Sequence, residues 1–120
     1  MQSFKELIVW QKNFKLCIKL YGITEKFPKE IYGLTSQIRR ASVSIPSNIA
    51  EGFRRNTRKE YIQFIHIALG LTGELEIQLL IANELLYINK IEYVDLEKNI
   101  TEIIKMLIKL VKKLQENLEL

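Results

Sequence analysis

The densest group of chemically active side chains in this sequence is a cluster of four cations within six residues, Arg54-Arg55-Asn56-Thr57-Arg58-Lys59. Thr57 and Glu60 have the spacing of a capping box, which predicts that a helix begins beside the cluster. The first amides of a helix are unpaired, its dipole favours anions, and arginine binds phosphate in a two-pronged geometry. The cluster therefore predicts a phosphate-binding surface. The competing interpretation is a solvated basic loop whose charges pair with glutamates of adjacent chains.

Two further arginines, Arg39 and Arg40, stand beside apolar residues of the preceding helical pattern. We expect Arg39 to form a partly buried ion pair or network with a carboxylate such as Glu51, Glu74 or Glu76. Arg40 is assigned to the predicted nucleic-acid surface.

The sequence contains no motif typical of an enzyme active site or a metal site. A di-metal helical bundle needs Glu-x-x-His motifs, but Gln63 stands three residues before His66, and His66 is the chain's one histidine. We predict that His66 is a packed or interfacial side chain and that Cys17 is a buried, unreactive thiol. Phosphate-loop and nucleophile-elbow motifs are missing as well. We therefore predict no catalytic residue, no metal and no cofactor.

Composition favours one compact domain over residues 1–120, since 48% of the residues are hydrophobic and only five are Gly and two Pro. The formal net charge of +4 is unevenly distributed: residues 1–59 carry +8 and residues 60–120 carry −4. This asymmetry suits either a polyanionic partner or self-association of unlike surfaces. One cysteine excludes an intrachain disulfide, and no stretch reads as a secretory signal or membrane span. We expect a cytoplasmic protein.

The first helix is predicted to begin at the capping box of Ser3 and Glu6 and to end near Phe27, before Pro28. Spacings of three and four residues indicate its buried face. That face is predicted to hold Leu7, Trp10, Phe14, Cys17 and Tyr21.

The second helix shows the same rhythm, with Pro46 inside the pattern. We expect a kink at Pro46 rather than an end, and expect Gly52 to close the helix. Its predicted buried residues are Leu34, Ile38, Ala41, Ile45 and Ile49.

The third helix is apolar on more than one side, which predicts a subunit interface as well as a core. Gly70 and Gly73 would let a neighbouring helix come close. Its predicted buried residues are Tyr61, Ile65, Ala68, Thr72, Leu75, Leu79, Ala82 and Leu86.

The fourth helix is predicted to follow a turn at Asn89 and Lys90, with Asp95 as its cap. Its predicted buried residues are Ile100, Ile103, Leu107, Leu110, Leu114 and Leu118. No segment reads as a strand. Four helices joined by short loops predict an all-α, up-and-down four-helix bundle.

Several segments together resemble one known family. The longest are Tyr32-Gly33-Leu34, Gln37-Ile38-Arg39-Arg40-Ala41 and Ser44-Ile45-Pro46-Ser47-Asn48-Ile49-Ala50-Glu51-Gly52, with Val9-Trp10-Gln11, Phe27-Pro28 and Glu74-Leu75-Glu76 in matching order. This pattern resembles the four-helix bundle proteins also called 23S rRNA intervening-sequence proteins, over roughly residues 4–88. The chain departs from the family at Leu71, where a serine is usual, and at Leu86, where a glycine is usual.

The resemblance implies a bacterial cytoplasmic bundle that assembles into a ring-like homopentamer. Most members of that family have no assigned activity, some are encoded within inserts in large-subunit ribosomal RNA genes, and a relative binds a reverse transcriptase and nucleic acid. The family brings no catalytic residues. Its basic surfaces correspond here to the cluster of Arg54, Arg55, Arg58 and Lys59.

Our leading hypothesis is thus a non-enzymatic homo-oligomer that binds RNA or DNA through the phosphate backbone. The alternative is a protein-interaction scaffold, or an accessory subunit, for a polypeptide partner such as a reverse transcriptase.

Overall fold

The computed structural model describes residues 2–118. It contains four α-helices: α1 (Ile8–Thr24), α2 (Tyr32–Phe53), α3 (Arg58–Glu84) and α4 (Lys90–Leu118). Short 3-10 turns precede α1 and α2, and no strand occurs in the described part of the chain. Each helix packs on the next, and α1 also packs on α4, so the four helices stand at the corners of a bundle of 51 × 20 × 20 Å. The predicted all-α four-helix bundle is confirmed.

The first helix begins later than predicted. Ser3 does act as a cap, since its hydroxyl oxygen accepts from the Lys5 amide at 3.2 Å, but it caps the 3-10 turn at Phe4–Glu6. Leu7 is extended (φ −72°, ψ 123°) and separates that turn from α1. The helix also ends at Thr24, one turn before the predicted end near Phe27.

The buried face of α1 was predicted wrongly. Of the predicted aromatic residues, Phe14 and Tyr21 are exposed, whereas Trp10 is half-buried. The core face of α1 instead includes the polar side chains of Asn13 and Thr24. Each donates a hydrogen bond to the carbonyl four residues earlier in α1, at 2.8 and 2.7 Å. Burying them therefore leaves no donor unpaired. The buried residues of α1 are Val9, Asn13, Leu16, Leu20, Ile23 and Thr24.

The predicted core of α2 is confirmed at Ile38, Ala41, Ile45 and Ile49, and Leu34 is half-buried. The helix continues through Pro46 to Phe53, as predicted, whereas the kink itself stays a prediction. Gly52 does not close the helix. Instead it is buried inside the last turn, where it faces α3.

The predicted buried positions of α3 are confirmed over most of its length. They include Ile65, Ala68, Thr72, Leu75, Leu79 and Ala82. Ile62 is buried in place of the half-buried Tyr61, and Leu86 lies beyond the helix in solvent. Apolar side chains also cover the outer side, where Ile67, Ile77, Leu80 and Ile81 are exposed. By length and composition alone α3 could cross a membrane, but its packing against α2 and α4 is that of a core helix.

The cap of α4 is Asn89 rather than the predicted Asp95. The Asn89 side chain accepts from the Glu92 amide at 2.7 Å, and the Glu92 carboxylate accepts from the Asn89 amide at 3.4 Å, which completes a capping box. Asp95 lies inside the helix. Leu110 is half-buried, and the side chain of Leu118 lies outside the described residues. Buried residues of α4 are Leu96, Ile100, Ile103, Leu107, Val111 and Leu114.

Candidate nucleic-acid interface

The cation cluster lies where α2 passes into α3, and we call Arg54, Arg55, Arg58 and Lys59 the basic corner. The connection is only four residues long because the Arg54 amide still donates to the end of α2 and Thr57 already caps α3. The Thr57 hydroxyl oxygen accepts from the Glu60 amide at 3.1 Å, so the predicted helix start is confirmed. The short turn brings all four predicted side chains to one end of the bundle.

Within the basic corner, Arg54 is exposed and its guanidinium carbon lies 4.8 Å from the centre of the Phe4 ring. No carboxylate among the described residues forms an ion pair with it. The ring therefore orients the guanidinium while its N–H groups remain available to an anion. Phe4 had not been assigned any role from the sequence.

Arg55 is held differently from Arg54. Its guanidinium pairs with Glu51 at 3.1 Å and with Glu60 at 3.4 Å, and it lies 5.0 Å from the centre of the Phe64 ring. A phosphate at Arg55 would compete with two carboxylates of the same chain. The competing interpretation expected basic-corner charges to pair with glutamates of adjacent chains. Arg55 does pair with glutamates, but they belong to its own chain.

Arg58 and Lys59 occupy the first turn of α3, and both are exposed. Lys59 makes no hydrogen bond or ion pair within residues 2–118, so its ammonium is presented to solvent. The fifth predicted residue, Arg40, is also exposed but stands fourteen residues before Arg54. At 1.5 Å per residue this is about 21 Å along α2, so Arg40 is not part of the basic corner.

Arg39 forms the predicted partly buried network, but with other partners. Its guanidinium donates to the Thr24 hydroxyl at 2.9 Å, to the Tyr21 carbonyl at 3.4 Å and to Glu25 at 3.2 Å. The predicted partners Glu51, Glu74 and Glu76 are not used. Because Arg39 ties α2 to the end of α1, its role is structural.

Cys17 and His66, the two residues considered as a nucleophile or a base, belong to different helices, α1 and α3. His66 is exposed, so packing inside its own chain was predicted wrongly, whereas an interfacial role is untested. Cys17 is half-buried rather than buried, and its sulfur accepts from the Ser42 hydroxyl at 3.5 Å. Among the residues that the structure describes, no group of His, Cys, Asp and Glu could hold a metal ion.

A groove between α1 and α2 is the main surface that the sequence did not reveal. It measures about 360 Å³, and we call it the α1–α2 groove. Its lining residues are Phe4, Trp10, Phe14, Cys17, Val43, Pro46, Ser47 and Ala50. Trp10 stacks on Phe14 with ring centres 5.1 Å apart, and Phe4 meets Trp10 edge-on at 4.9 Å. The aromatic rhythm of α1 was the available signal, but it was assigned to the core.

Tyr93, in the first turn of α4, is surrounded by acidic residues of the second half of the sequence. A hydrogen bond to Glu97, partial burial and the negative charges of Glu97, Glu76 and Glu84 raise the pKa of Tyr93 to about 12. Burial also raises the pKa of Tyr61, which lies beside the basic corner. The glutamates around Tyr93 therefore create a negative field around the C-terminal half of α3 and the start of α4.

Comparison with known proteins agrees with this architecture. The family model described as 23S rRNA-intervening sequence protein matches residues 5–109. The chain belongs to this family. A crystal structure of a protein of unknown function from the S23 ribosomal protein family of Bacteroides thetaiotaomicron superposes with a TM-score of 0.81. That structure is 27% identical in sequence, and the match covers 88% of this chain and 96% of the other. None of the curated proteins matches the chain.

Proposed function

We propose that this member of the family is a non-enzymatic, homo-oligomeric bundle that binds the phosphate backbone of RNA or DNA at the basic corner. The observation that carries the proposal is Arg54: it is exposed, oriented by the Phe4 ring, and without an ion-pair partner among the described residues. Lys59 adds a second unpaired charge in the first turn of α3. Contacts of this kind go to phosphate rather than to base edges, so binding is expected to be independent of sequence.

Self-association would strengthen such a site. Two or three phosphate contacts per copy are weak, but copies held in one particle bind the same strand at high effective concentration. If five copies assemble, as the family resemblance implies, the particle carries a formal charge of +20, because each chain carries +4. We therefore expect binding that is modest for one copy and appreciable for the assembly.

The test is a binding titration with a fluorescent RNA strand over a series of salt concentrations. The logarithm of the affinity should fall linearly with the logarithm of salt concentration, by roughly 0.7–0.9 for each phosphate neutralised. The double variant Arg54→Ala/Lys59→Ala should bind more weakly and with a shallower slope. A profile that does not change with salt would contradict the proposal.

A matched control removes two cations elsewhere. Lys98 and Lys105 are exposed on α4, and neither forms a hydrogen bond or ion pair within the described chain. The variant Lys98→Ala/Lys105→Ala has the same net charge as the basic-corner variant and should bind nearly as well as the unchanged protein. Equal losses in both variants would mean that net charge, and not the basic corner, governs binding.

A second candidate function is supported by the α1–α2 groove. An exposed aromatic groove suits a polypeptide partner, which the family resemblance suggests could be a reverse transcriptase. Co-purification from the native host, with and without nuclease, separates the two functions. A protein that remains bound after nuclease treatment favours the scaffold. A protein that nuclease releases favours nucleic-acid binding.

A further inference from the structure

Two exposed apolar surfaces of this chain differ in shape and charge. One is the α1–α2 groove. The other is a stripe on the outer side of α3 that we call the α3 ridge. Its residues recur at alternating spacings of three and four, and all are exposed: Ile67, Gly70, Glu74, Ile77, Ile81 and Glu84. Residues with this spacing lie on one face of a helix.

The groove is apolar with cationic ends. None of its lining residues is charged. Three-and-four spacing continues along α2 and into its C-terminal cap, Arg54, which still has helical backbone angles. It places an arginine before and after the groove-lining residues on one face, in the order Arg40, Val43, Ser47, Ala50 and Arg54. Both arginines are exposed, and Arg54 already rests on the groove residue Phe4. A partner for this groove is therefore expected to be apolar in the middle and anionic at its edges.

The ridge has that chemistry. Beyond Lys59, the charged residues of α3 are all glutamates, and two of them, Glu74 and Glu84, lie on the ridge between and beside isoleucines. Gly70 leaves open space, since a Cβ built there meets nothing within 4 Å. Glu97, Glu76 and Glu84 all lie near enough to Tyr93 to act on its hydroxyl, so this side of the bundle carries several negative charges.

The placement of the helices prevents a chain from filling its own groove. α2 lies between α1 and α3, and α4 closes the other side, so α1 and α3 stand at opposite corners. The groove and the ridge thus point in different directions. Contact between them requires two copies.

We propose that the α3 ridge of one copy docks in the α1–α2 groove of a second copy. This inference names the interface for the self-association included in the proposed function, and it does not depend on nucleic-acid binding. Such a contact is head-to-tail: each copy uses a different surface toward each neighbour. Head-to-tail contacts generate rings when the rotation closes and filaments when it does not. Arg40 of one copy then approaches Glu74 or Glu84 of the next.

Three substitutions at equally exposed apolar residues test the interface, because Val43, Ile81 and Ile108 are each 43% exposed. Val43→Asp places a charge in the groove, Ile81→Asp places one on the ridge, and Ile108→Asp places one on α4, outside both surfaces. Sedimentation velocity at micromolar concentration should show assembly for the unchanged protein and for Ile108→Asp. Val43→Asp and Ile81→Asp should each be monomeric, with unchanged circular dichroism.

Mixing the two monomeric variants provides the decisive measurement. Val43→Asp retains its ridge and Ile81→Asp retains its groove, so together they should form a one-to-one dimer and nothing larger. If the groove instead paired with the groove of another copy, Ile81→Asp would still assemble alone. That result, or a mixture that stays monomeric, would overturn the proposal.

Trp10 gives an independent readout, since it is the chain's one tryptophan and lines the groove. Its emission should shift to shorter wavelength when the unchanged protein assembles and when the two variants are mixed, but not in Ile81→Asp alone. A stable monomer whose Trp10 emission responds to RNA would show that nucleic acid occupies the groove and would overturn docking between copies. Conversely, the protein could assemble through these surfaces while its RNA binding does not depend on salt. That result would support this interface and contradict only the proposed nucleic-acid function.

Discussion

Gly52 of α2 lies directly against Phe64 of α3: a Cβ built on Gly52 would be 2.8 Å from the Phe64 Cβ. The Tyr61 ring and the Tyr61 carbonyl would be 3.0 and 3.3 Å away. The glycine therefore allows close approach of two helices just before the basic corner. Glycine was expected here as a helix terminator, and its actual role is steric.

The variant Gly52→Ala should destabilise the protein. Helix propensity alone would favour alanine by about 1 kcal/mol. The new methyl group, however, meets a Cβ and a backbone oxygen, which cannot rotate away, so α2 and α3 must separate, and overpacking of this kind costs about 1–3 kcal/mol. We expect a net loss in the free energy of unfolding, measured by urea denaturation.

The control for this prediction is Gly22→Ala on α1, where a Cβ meets nothing within 4 Å. There the propensity gain acts alone, so stability should be unchanged or rise by up to about 1 kcal/mol. A similar gain in Gly52→Ala would show that the contact with α3 is looser than the structure indicates.

The pattern of apolar residues was sufficient to predict the bundle, because α2, α3 and α4 carry regular rows of aliphatic side chains. The same reasoning failed for α1, where the core face includes Asn13 and Thr24 and the aromatic row faces the groove. Periodicity reports where apolar residues lie, but it does not show whether a neighbouring element of the same chain covers them. In α1 the exposed row is the surface that we assign to a second copy.

The position of the candidate site could be predicted from the sequence, but the ion pairs of its arginines could not. The cluster and the Thr57 cap follow from local sequence, so the basic corner was found in advance. The partners of Arg55 and Arg39 were not, because an ion pair depends on which carboxylate the fold brings near. Glu51 and Glu60 flank Arg55 across a turn, whereas Glu25 reaches Arg39 only because α1 and α2 are antiparallel.

Leu86 is a second position where backbone geometry permits a sharp prediction. It has φ +64°, the left-handed region that favours glycine, and its side chain is 88% exposed. Around it, the Leu86 amide donates to the Asn83 carbonyl and the Tyr87 amide to the Ala82 carbonyl, which is the hydrogen-bond pattern of a Schellman cap.

Leu86→Gly should therefore stabilise the protein by about 1 kcal/mol, because it relieves the left-handed strain and removes little buried surface. The neighbouring Leu85→Gly, at φ −85°, serves as the control and should destabilise by a similar amount. Thermal unfolding of both variants is the measurement. A loss in both would mean that the leucine contributes contacts that outweigh its strain.

Arg39 should matter more to stability than the exposed carboxylate that pairs with it. Arg39→Leu removes hydrogen bonds to Thr24, Tyr21 and Glu25 together with the contact over the Tyr21 ring, so we expect a loss of about 1–2 kcal/mol. Glu25 has a side chain that is 81% exposed, and Glu25→Gln should cost less than about 0.5 kcal/mol. Urea denaturation in low and high salt checks both. Equal losses would place the stabilisation in the ion pair rather than in the bonds to α1.

Tyr93 should give stability a pH dependence in the alkaline range. Its pKa is raised from 10.0 to about 12 in the folded chain, first by the hydrogen bond that its hydroxyl donates to Glu97. A group whose folded pKa lies above the unfolded value contributes stability that is fully present below the unfolded pKa. The contribution of Tyr93 is thus present below pH 10 and is lost as the pH rises from about 10 to about 12.

Replacing Glu97 isolates that contribution. Glu97→Gln removes the charged acceptor and the nearest negative charge, so the pKa of Tyr93 should fall toward 10 and the alkaline loss of stability attributed to Tyr93 should shrink. The control is Glu116→Gln, which removes one negative charge about 34 Å from Tyr93 along α4. It should leave the pKa of Tyr93 unchanged. Carbon NMR of ring-labelled tyrosine, assigned with Tyr93→Phe, measures the titration directly. If Tyr93 titrated near pH 10 in the unchanged protein, Glu97 and the neighbouring glutamates would not raise its pKa, and the prediction would be wrong.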